Sequence, residues 1–445
     1  MKGFLYRQSG ILKVWKRQYY EINGSTLIEY PDDKKSVELF RNEIASLALP
    51  VEDKSRQNCF KVQLGVQNVI FSTESSDDFR KWSDAIRVAY QSSPRKKDEV
   101  KKNDGKKSVS LNDFDIIKVI GRGTFGKVTL VRYKEDGKIY AMKAMSKRKL
   151  ADEKNIKNVL VEKEILIQIK HPFLVHAYFC FQTEAKIFII LDYVPGGELF
   201  RRLIVDGRFS EQRTQLYIAE ILLGIEALHK KGFIYRDLKP ENILIDIDGY
   251  LKITDFGFAK GNINTSTSTT SSFCGTPEYL APEFFKQQPY TRSVDWWSLG
   301  ALMYEMLDGN APWYDENPKK MYMGILLNPL PIPNFISPDA ADLLLRLLEK
   351  DPKKRLGSGP TDAEEIKEHP FFQNLDWEKV YRKEVRSPYI PSVEDPTDTS
   401  QFDSQFTTET PTVSYEDPNM VSTEVQDAFV NFTCNNEDSI IGTSF

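Results

Sequence analysis

The sequence has few of the residues that build disulfide scaffolds or zinc clusters. Only four cysteines occur in 445 residues, and no two of them form a Cys-x-x-Cys pair. Such usage is typical of a chain that folds in a reducing compartment. Apolar runs stay well below the roughly 18 residues of a membrane span, and the first residues lack the apolar core of a signal peptide. We therefore expect a soluble, intracellular protein.

Basic side chains are absent from the last part of the chain. No Lys or Arg follows Arg386, whereas residues 387–445 contain eleven Asp and Glu. The formal net charge of -4 thus divides into +7 for residues 1–386 and -11 for the remainder. Such a tail is usually solvated and disordered. It could also lie across the basic body, and charge alone leaves both interpretations open.

The first 92 residues are predicted to form a small β-barrel or sandwich capped by a helix. Asn23-Gly24 predicts a type I′ hairpin turn between strands 14–21 and 26–30, because both residues tolerate a positive φ. Apolar residues then recur on one face of a helix, at Phe79, Trp82, Ile86 and Ala89.

The rest of the chain divides into three further segments. Residues 93–112 are predicted to be a basic flexible linker, because they are rich in Lys, Asp and Ser and almost lack apolar side chains. Residues 113–372 show strand-like runs up to about Val194 and helical periodicity afterwards, which indicates two lobes. Residues 373–445 form the tail.

A glycine-rich loop lies near the start of segment 113–372. Residues 121–128 follow the pattern G-x-G-x-x-G-x-V, which by itself is weak because it also occurs in dinucleotide-binding folds. Here it is followed by Ala141-Met142-Lys143 in a strand context, where the lysine could hold α- and β-phosphates. Glu162, in a helical stretch, is the expected partner of Lys143, because Glu164 would point from another helix face.

Three more motifs follow in a fixed order. Residues 235–242 read Tyr-Arg-Asp-Leu-Lys-Pro-Glu-Asn, residues 255–257 read Asp-Phe-Gly, and residues 281–283 read Ala-Pro-Glu. With these motifs, segment 113–372 closely resembles the eukaryotic protein-kinase family. The resemblance implies a bilobal fold with ATP in the cleft.

The resemblance also implies roles for individual residues. Asp237 would accept the proton of the substrate hydroxyl, Lys239 would contact the γ-phosphate, and Lys143 with Glu162 would complete the catalytic set. Asn242 and Asp255 would bind Mg²⁺ through hard oxygen ligands. The residues assigned to ATP binding are Gly121, Gly123, Phe125, Gly126, Val128, Ala141, Lys143, Asp192, Val194 and Glu198.

Two features point to the AGC group of this family. Tyr235 replaces the usual His before Arg-Asp, and residues 273–283 resemble the AGC activation segment. Residues 265–272 all carry hydroxyl side chains, so the run could also be a flexible, low-complexity segment. The resemblance makes Ser272 the site of an upstream activating kinase, and its phosphate could pair with Arg236 and Lys260.

Three acidic residues match positions that recognise arginine upstream of the phosphorylated residue. They are Glu198, Glu241 and Glu305. Carboxylates pair with the bidentate fork of Arg, although any one of these residues could simply be a solvated surface acid. All three together favour protein substrates with Arg upstream of Ser or Thr.

The tail resembles the AGC tail in three places. The segment with Phe402 and Phe406 would pass the nucleotide cleft, and Ser414 aligns with the turn-motif phosphosite, although Tyr415 follows it instead of Pro. Residues 429–434 resemble the hydrophobic motif, with Thr433 as its phosphosite and Cys434 in place of an aromatic residue. Phe429 and Phe432 would then dock beside the helix of the small lobe.

Residues 1–92 resemble a pleckstrin-homology (PH) domain, and the whole chain resembles the Akt (protein kinase B) family. Arg7 and Lys16 match phosphoinositide-binding positions, but Gln18 replaces the last Arg of that pattern. Loss of this contact would weaken headgroup binding, with Lys13 or the basic linker compensating at an anionic surface. The domain could instead serve mainly as an autoinhibitory cover of the kinase.

The sequence therefore predicts a multidomain α+β protein, with a PH-type barrel followed by a bilobal kinase and an AGC tail. We expect an ATP- and Mg²⁺-dependent, non-specific serine/threonine protein kinase that is recruited reversibly to phosphoinositide membranes. We expect a monomer that binds no nucleic acid. The alternatives are an active basophilic AGC kinase of another branch and a PH-containing pseudokinase adaptor, although Lys143, Asp237, Asn242 and Asp255 are all retained.

Overall fold

The computed structural model describes residues 1–9, 14–34, 38–44, 48–51, 53, 55–64, 67–91, 109–261 and 275–436. The chain divides into two compact units, Met1–Ser108 and Val109–Phe445. Within the described residues, no helix combines the length and the apolarity needed to cross a membrane. The predicted linker falls mostly on residues 92–108, which lie outside the described residues, and Val109 is buried in the second unit.

The first unit is an antiparallel sheet with one helix. Its strands are β1 Lys2–Ser9, β2 Val14–Asn23, β3 Thr26–Tyr30, β4 Phe40–Glu43, β5 Leu49–Val51, β6 Cys59–Leu64 and β7 Gln67–Ser72, and α1 spans Ser76–Gln91. The strand order is β4-β3-β2-β1-β7-β6-β5, and a bridge joins Ile44, directly after the end strand β4, to Leu64 of β6 on the other side of the sheet. Trp82 and Ile86 of α1 are buried in the core, which confirms the barrel capped by a helix.

The hairpin between β2 and β3 differs from its prediction by one residue. Asn23 pairs with Thr26, so the two loop residues are Gly24 and Ser25 rather than Asn23 and Gly24. Of these two loop residues, Gly24 has a positive φ, +58°, as in a type II′ turn, whose first central position favours glycine. The prediction missed this because an Asn-Gly pair allows either register.

The small lobe of the second unit is a six-stranded antiparallel sheet with one long helix. Its strands are β8 Phe114–Gly123, β9 Gly126–Tyr133, β10 Ile139–Ser146, β11 Ala177–Gln182 and β12 Lys186–Asp192, with α2 at Glu153–Gln168. The sixth strand, β15 Cys434–Asn435, comes from the tail and pairs with β11 at the sheet edge. Part of the acidic tail is therefore built into the fold.

The large lobe is mostly helical. Its helices are α3 Leu199–Asp206, α4 Glu211–Lys230, α5 Pro282–Phe285, α6 Ser293–Asp308, α7 Pro318–Leu327, α8 Pro338–Leu347, α9 Ala363–Lys367 and α10 Trp377–Tyr381, and the strands β13 Ile243–Ile245 and β14 Leu251–Ile253 form a small hairpin. The tail adds α11 Ser404–Thr407 and α12 Thr423–Ala428. The apolar periodicity that predicted α4 corresponds to its buried residues, such as Ile218 and Leu222.

A buried ion pair lies in the core of the large lobe. Arg355 donates to both carboxylate oxygens of Glu283, at 2.7 and 3.0 Å, and both side chains are almost fully buried. Glu283 belongs to the Ala-Pro-Glu motif, so this motif is an anchor of the helical core. The predicted multidomain α+β architecture is confirmed.

Candidate active site

The glycine-rich loop is the hairpin between β8 and β9, at the edge of the cleft. Gly126 passes so close to the neighbouring strand that a Cβ atom would lie 1.7 Å from the carbonyl oxygen of Ala144. Only glycine fits there, since such a clash would push the strands apart. Phe125 lies in the turn, and its carbonyl accepts a hydrogen bond from the Ser146 amide at 3.0 Å.

Lys143 lies between two carboxylates inside the cleft. Its Nζ is 2.5 Å from Oε1 of Glu162 on α2 and 3.6 Å from Oδ1 of Asp255. Burial opposes its charge, but the two carboxylates outweigh burial and raise the pKa of Lys143. Lys143 in turn holds the pKa of Asp255 below its usual range. The structure thus brings β10, α2 and the Asp-Phe-Gly segment to one point.

Asp237, Lys239 and Asn242 form a second group on the large lobe. The Asn242 amide donates to the backbone carbonyl and to Oδ2 of Asp237, at 2.8 and 2.7 Å, and Lys239 Nζ lies 3.4 Å from the same Oδ2. The other oxygen, Oδ1, is buried and has no hydrogen-bond partner among the described residues. Burial raises the pKa of Asp237. One oxygen is thus fixed, and the other can accept a proton.

The backbone of this loop is held by an aspartate that the sequence reasoning did not select. Asp295 on α6 accepts hydrogen bonds from the amides of Tyr235 and Arg236, at 2.9 and 2.8 Å, and contacts His229 at 2.8 Å. His229 also contacts Asp362, at 2.9 Å. An Asp directly followed by the two tryptophans Trp296 and Trp297 was the available signal, because a carboxylate buried among apolar side chains must have partners.

The two groups suit a nucleotide with a divalent cation. Asp255 is half exposed with φ of 54°, an uncommon conformation, and Asn242 uses its amide nitrogen for Asp237, which leaves its oxygen available. In the part of the chain that the structure describes, no cluster of three or more His, Cys, Asp or Glu could hold a metal. A hard cation with few protein ligands, completed by phosphates and water, fits this pair.

The segment between the lobes contains the predicted residues Asp192 and Val194. Asp192 accepts hydrogen bonds from the hydroxyl of Tyr178 at 2.7 Å and from Lys252 Nζ at 2.9 Å, so its side chain fixes the segment rather than facing the cleft. Burial would raise its pKa, but Lys252 and the hydrogen bonds lower it. Val194 and Ala141 are buried, and Tyr193 stacks on Phe402 of the tail.

Three glutamates form one negative region on the large lobe. The pKa of Glu305 rises to about 7, because burial outweighs the hydrogen bond from the Tyr279 hydroxyl, and the charge of Glu241 adds to the rise. The pKa of Glu198 rises for the same two reasons, desolvation and the charge of Glu241. Glu241 is therefore the neighbour that the two other carboxylates share.

The tail also contacts the glycine-rich loop, through a residue that was not predicted. Glu409 accepts from Arg122 at 2.9 and 3.0 Å and from Lys127 at 2.7 Å. These hydrogen bonds lower the pKa of Glu409 to about 2. No pattern in the sequence joins residues 287 positions apart, so this contact depends on the tertiary fold. Further along the tail, the Ser414 hydroxyl accepts a hydrogen bond from Lys186 Nζ of β12 at 2.9 Å.

The end of the described tail packs on the small lobe. Phe429 and Phe432 are fully buried, and Lys163 of α2 donates to the carbonyl of Asn431 at 2.9 Å. Gln182 of β11 donates to the carbonyl of Phe429 at 2.7 Å. Thr433 is exposed beside them. A fully disordered tail is therefore excluded for these residues.

The predicted activation site, Ser272, lies outside the described residues, as does Cys274. The structure places one predicted partner of the phosphate on the large lobe. The Arg236 guanidinium donates to the carbonyl of Phe258 at 2.8 Å and to the hydroxyl of Tyr290 at 3.0 Å. Lys260 pairs through its backbone with Ile234.

In the first unit, the register places Arg7 and Lys16 directly opposite each other on β1 and β2. Arg7 forms an ion pair with the buried Glu29 at 2.6 Å, so part of its charge is neutralised. Arg17 pairs with Glu74 at 3.2 Å. Gln18 is opposite Leu5. Lys13 lies outside the described residues.

Comparison with known proteins agrees with this geometry. The chain matches the protein kinase domain family over residues 114–372, the protein kinase C terminal domain over 393–434 and the PH domain over 1–91. It is 40% identical to the RAC family serine/threonine-protein kinase homolog of Dictyostelium discoideum, over 97% of this chain and 96% of that protein. The chain belongs to the RAC (Akt) family of serine/threonine protein kinases.

Two further relatives show how far this similarity extends. RAC-beta serine/threonine-protein kinase of Homo sapiens is 36% identical over 94% of this chain and 93% of its own length. Serine/threonine-protein kinase gad8 of Schizosaccharomyces pombe is 46% identical, over 73% of this chain and 57% of its own length. The RAC family resemblance thus includes the first unit and the tail as well as the two lobes.

Proposed function

We propose that this kinase transfers the γ-phosphate of ATP, bound with Mg²⁺, to Ser or Thr in proteins with Arg upstream of that residue. The observation that supports this most directly is Asp237, which has one oxygen fixed by Asn242 and a buried second oxygen that has no hydrogen-bond partner among the described residues. We further propose domain limits at 1–92, 93–112, 113–372 and 373–445, for PH domain, linker, kinase and tail.

The arrangement suggests a division of work. When bound, Mg²⁺ neutralises the triphosphate and aligns its terminal phosphate. Asn242 and Asp255 are the residues that would hold it. Asp237 orients the substrate hydroxyl and accepts its proton at Oδ1, while Lys239 stabilises the transferred phosphoryl group. Lys143, fixed by Glu162, contributes positive charge at the α- and β-phosphates.

Transfer of radiolabelled phosphate from ATP to an Arg-containing peptide tests this proposal. Asp237→Asn is expected to lower kcat by a factor on the order of 10²–10⁴, the usual contribution of a general base. Asp248→Asn, at an exposed position of the same lobe, is the matched control. Equal activity of wild type and Asp237→Asn would favour the pseudokinase adaptor.

Substrate choice is proposed to depend on Glu198, Glu241 and Glu305. Their shared negative charge complements one or more guanidinium groups. A peptide library should therefore select Arg upstream of the phosphorylated residue, and replacement of that Arg by Lys should raise KM. Selection that ignores upstream Arg would contradict this.

Activation is proposed to need phosphates on Ser272, added by an upstream kinase, and on Ser414 and Thr433. Lys186, 2.9 Å from the Ser414 hydroxyl, supplies a cation for that phosphate. Ser272→Ala should lower activity strongly if the activation segment needs its phosphate. Activity that does not depend on Ser272 phosphorylation would contradict the proposal.

Membrane recruitment is proposed to be weak and reversible for a cytoplasmic, monomeric protein. Arg7 and Lys16 are the residues that would contact a phosphoinositide, but Arg7 is paired with Glu29 and Gln18 adds no charge. Lys13 and the basic linker would add attraction to an anionic surface. Liposome sedimentation with and without phosphoinositide tests this, and equal binding would leave an autoinhibitory role for the domain.

A further inference from the structure

Two free thiols face each other where the tail joins the small-lobe sheet. Cys180 of β11 and Cys434 of β15 are directly opposite residues of an antiparallel pair. Opposite residues of this kind have Cα atoms about 4.5–5.5 Å apart and side chains on one face of the sheet. Disulfides occur at Cα separations of about 4.4–6.8 Å, so the backbone needs little movement to join them.

We propose that Cys180 and Cys434 form a reversible disulfide that fixes the tail to the small lobe, with a peroxide as the oxidant. Cys434 occupies the position where the sequence pattern of the tail leads one to expect an aromatic residue. Cys180 lies on the strand that receives this segment. The proposed disulfide therefore accounts for the presence of a cysteine at each of these two positions.

The two thiols differ in a way that suits a stepwise reaction. The neighbouring Cys180 side chain and the Lys163 ammonium lower the pKa of Cys434, whereas burial raises the pKa of Cys180. Cys434 is also the more exposed of the two. Cys434 is thus the more reactive thiol, and Cys180 is the resolving one.

The reaction balances with one peroxide per disulfide. The Cys434 thiolate attacks a peroxide oxygen, the O–O bond breaks, and hydroxide leaves, which gives a sulfenic acid. The Cys180 sulfur then attacks the Cys434 sulfur, the S–O bond breaks, and water leaves as the S–S bond forms. Two electrons pass from the two thiols to the peroxide. A dithiol reductant reverses the reaction by thiol–disulfide exchange.

The disulfide would act on a segment that touches α2. Lys163 of this helix donates to the carbonyl of Asn431, and its ammonium lies 5.0 Å from the centre of the Phe432 ring. α2 also carries Glu162, the partner of Lys143. A covalent link at Cys434 would keep this segment docked without a phosphate on Thr433. This consequence rests on the proposed activating role of the tail, whereas the disulfide itself does not.

Mass spectrometry of the full-length protein tests the disulfide directly. The protein is reduced, treated with limiting hydrogen peroxide, blocked at its remaining thiols and digested with trypsin without reductant. Because no Lys or Arg follows Arg386, Cys434 falls in peptide 387–445, and Cys180 falls in peptide 171–186. We expect these two peptides linked, with the loss of two hydrogens, in wild type, Cys59→Ser and Cys274→Ser. We expect no such link in Cys180→Ser.

Linkage of Cys434 to Cys274 or Cys59 instead, or oxidation of Cys434 to sulfinic acid alone, would overturn the proposal. Hydrogen exchange of residues 429–436 in oxidised and reduced wild type avoids any question of variant folding. We expect exchange slower by a factor on the order of ten in the oxidised protein, reversed by dithiothreitol. Unchanged exchange in a linked protein would refute the docking effect.

Activity separates this inference from the proposed function. In Thr433→Ala, peroxide should raise kinase activity and dithiothreitol should lower it again, and Thr433→Ala/Cys180→Ser should not respond. A linked peptide without any kinase activity in the protein would disprove the proposed function and leave the disulfide intact. Kinase activity without a linked peptide would disprove the disulfide and leave the proposed function intact.

Discussion

Phe432→Ala tests whether the end of the tail is held by its buried aromatic side chains. Phe432 is fully buried, packs edge to face on Phe429 with ring centres 5.6 Å apart, and lies under the ammonium of Lys163. Removal of the ring leaves a cavity and deletes both contacts. The docked segment should therefore separate from the small lobe far more often.

The complete burial of Phe432 determines how large this change should be. Truncation of a fully buried Phe to Ala costs about 3–5 kcal/mol in protein cores. We take about 3 kcal/mol here, because the segment lies at the edge of the lobe and can partly collapse. At about 1.4 kcal/mol per factor of ten, the docking equilibrium should shift by roughly 100-fold.

Hydrogen exchange and kinase assays on the full-length protein, kept reduced, can measure this. In Phe432→Ala, amides of residues 429–436 should exchange faster, and so should those of α2, because Lys163 on that helix loses its contacts. kcat/KM for an Arg-containing peptide should fall with them. Val430→Ala is the matched control, since Val430 lies between the two rings in sequence but is 53% exposed.

Two results would refute this reasoning. Unchanged exchange in Phe432→Ala would mean that the aromatic ring does not hold the segment. An equal effect of Val430→Ala would mean that the segment responds to any substitution, so that burial is not the cause.

Three further predictions concern carboxylates. Because the pKa of Glu305 is about 7, this side chain loses its charge as pH falls from 8 to 6. KM for an Arg-containing peptide should therefore rise up to roughly tenfold over this range. Glu305→Gln should remove this pH dependence. Glu283→Ala removes the carboxylate that pairs with the buried Arg355, so it should lower the free energy of unfolding by about 3–5 kcal/mol. Urea titration measures this, and an unchanged midpoint of unfolding would contradict it. Glu409→Gln weakens the contact with Arg122 of the glycine-rich loop, so it should raise KM for ATP without changing the melting temperature. Because salt screens this exposed ion pair, the rise in KM should be smaller at high ionic strength.

Much of the fold could be predicted from local patterns in the sequence. The alternation of β2 and β3, the apolar face of α1 and the periodicity of α4 each depend on neighbours within a few residues, so a reader of the sequence can detect them. The exact position of the turn at Gly24, by contrast, does not follow from the local pattern. Asn-Gly marks a turn, but the pairing of Asn23 with Thr26 decides which residues form it.

The candidate site divides in the same way. Asp237 and Asn242 are five positions apart, and their hydrogen bond follows from a short loop. Asp295 lies 59 positions from Arg236, and Glu409 lies 287 positions from Arg122, so no pattern could connect them. Such residues are found only when the chain has brought them into contact.

The sequence by itself determined the family, the order of its parts and the residues that could carry phosphoryl transfer. Motif residues are chosen by the chemistry of phosphate and metal, which is the same in every chain that performs it. Only the tertiary structure decided that the acidic tail is bound to the body, because this depends on where Phe429, Phe432 and Glu409 meet their partners. Long-range packing also placed Cys434 opposite Cys180, a contact that neither residue reveals alone.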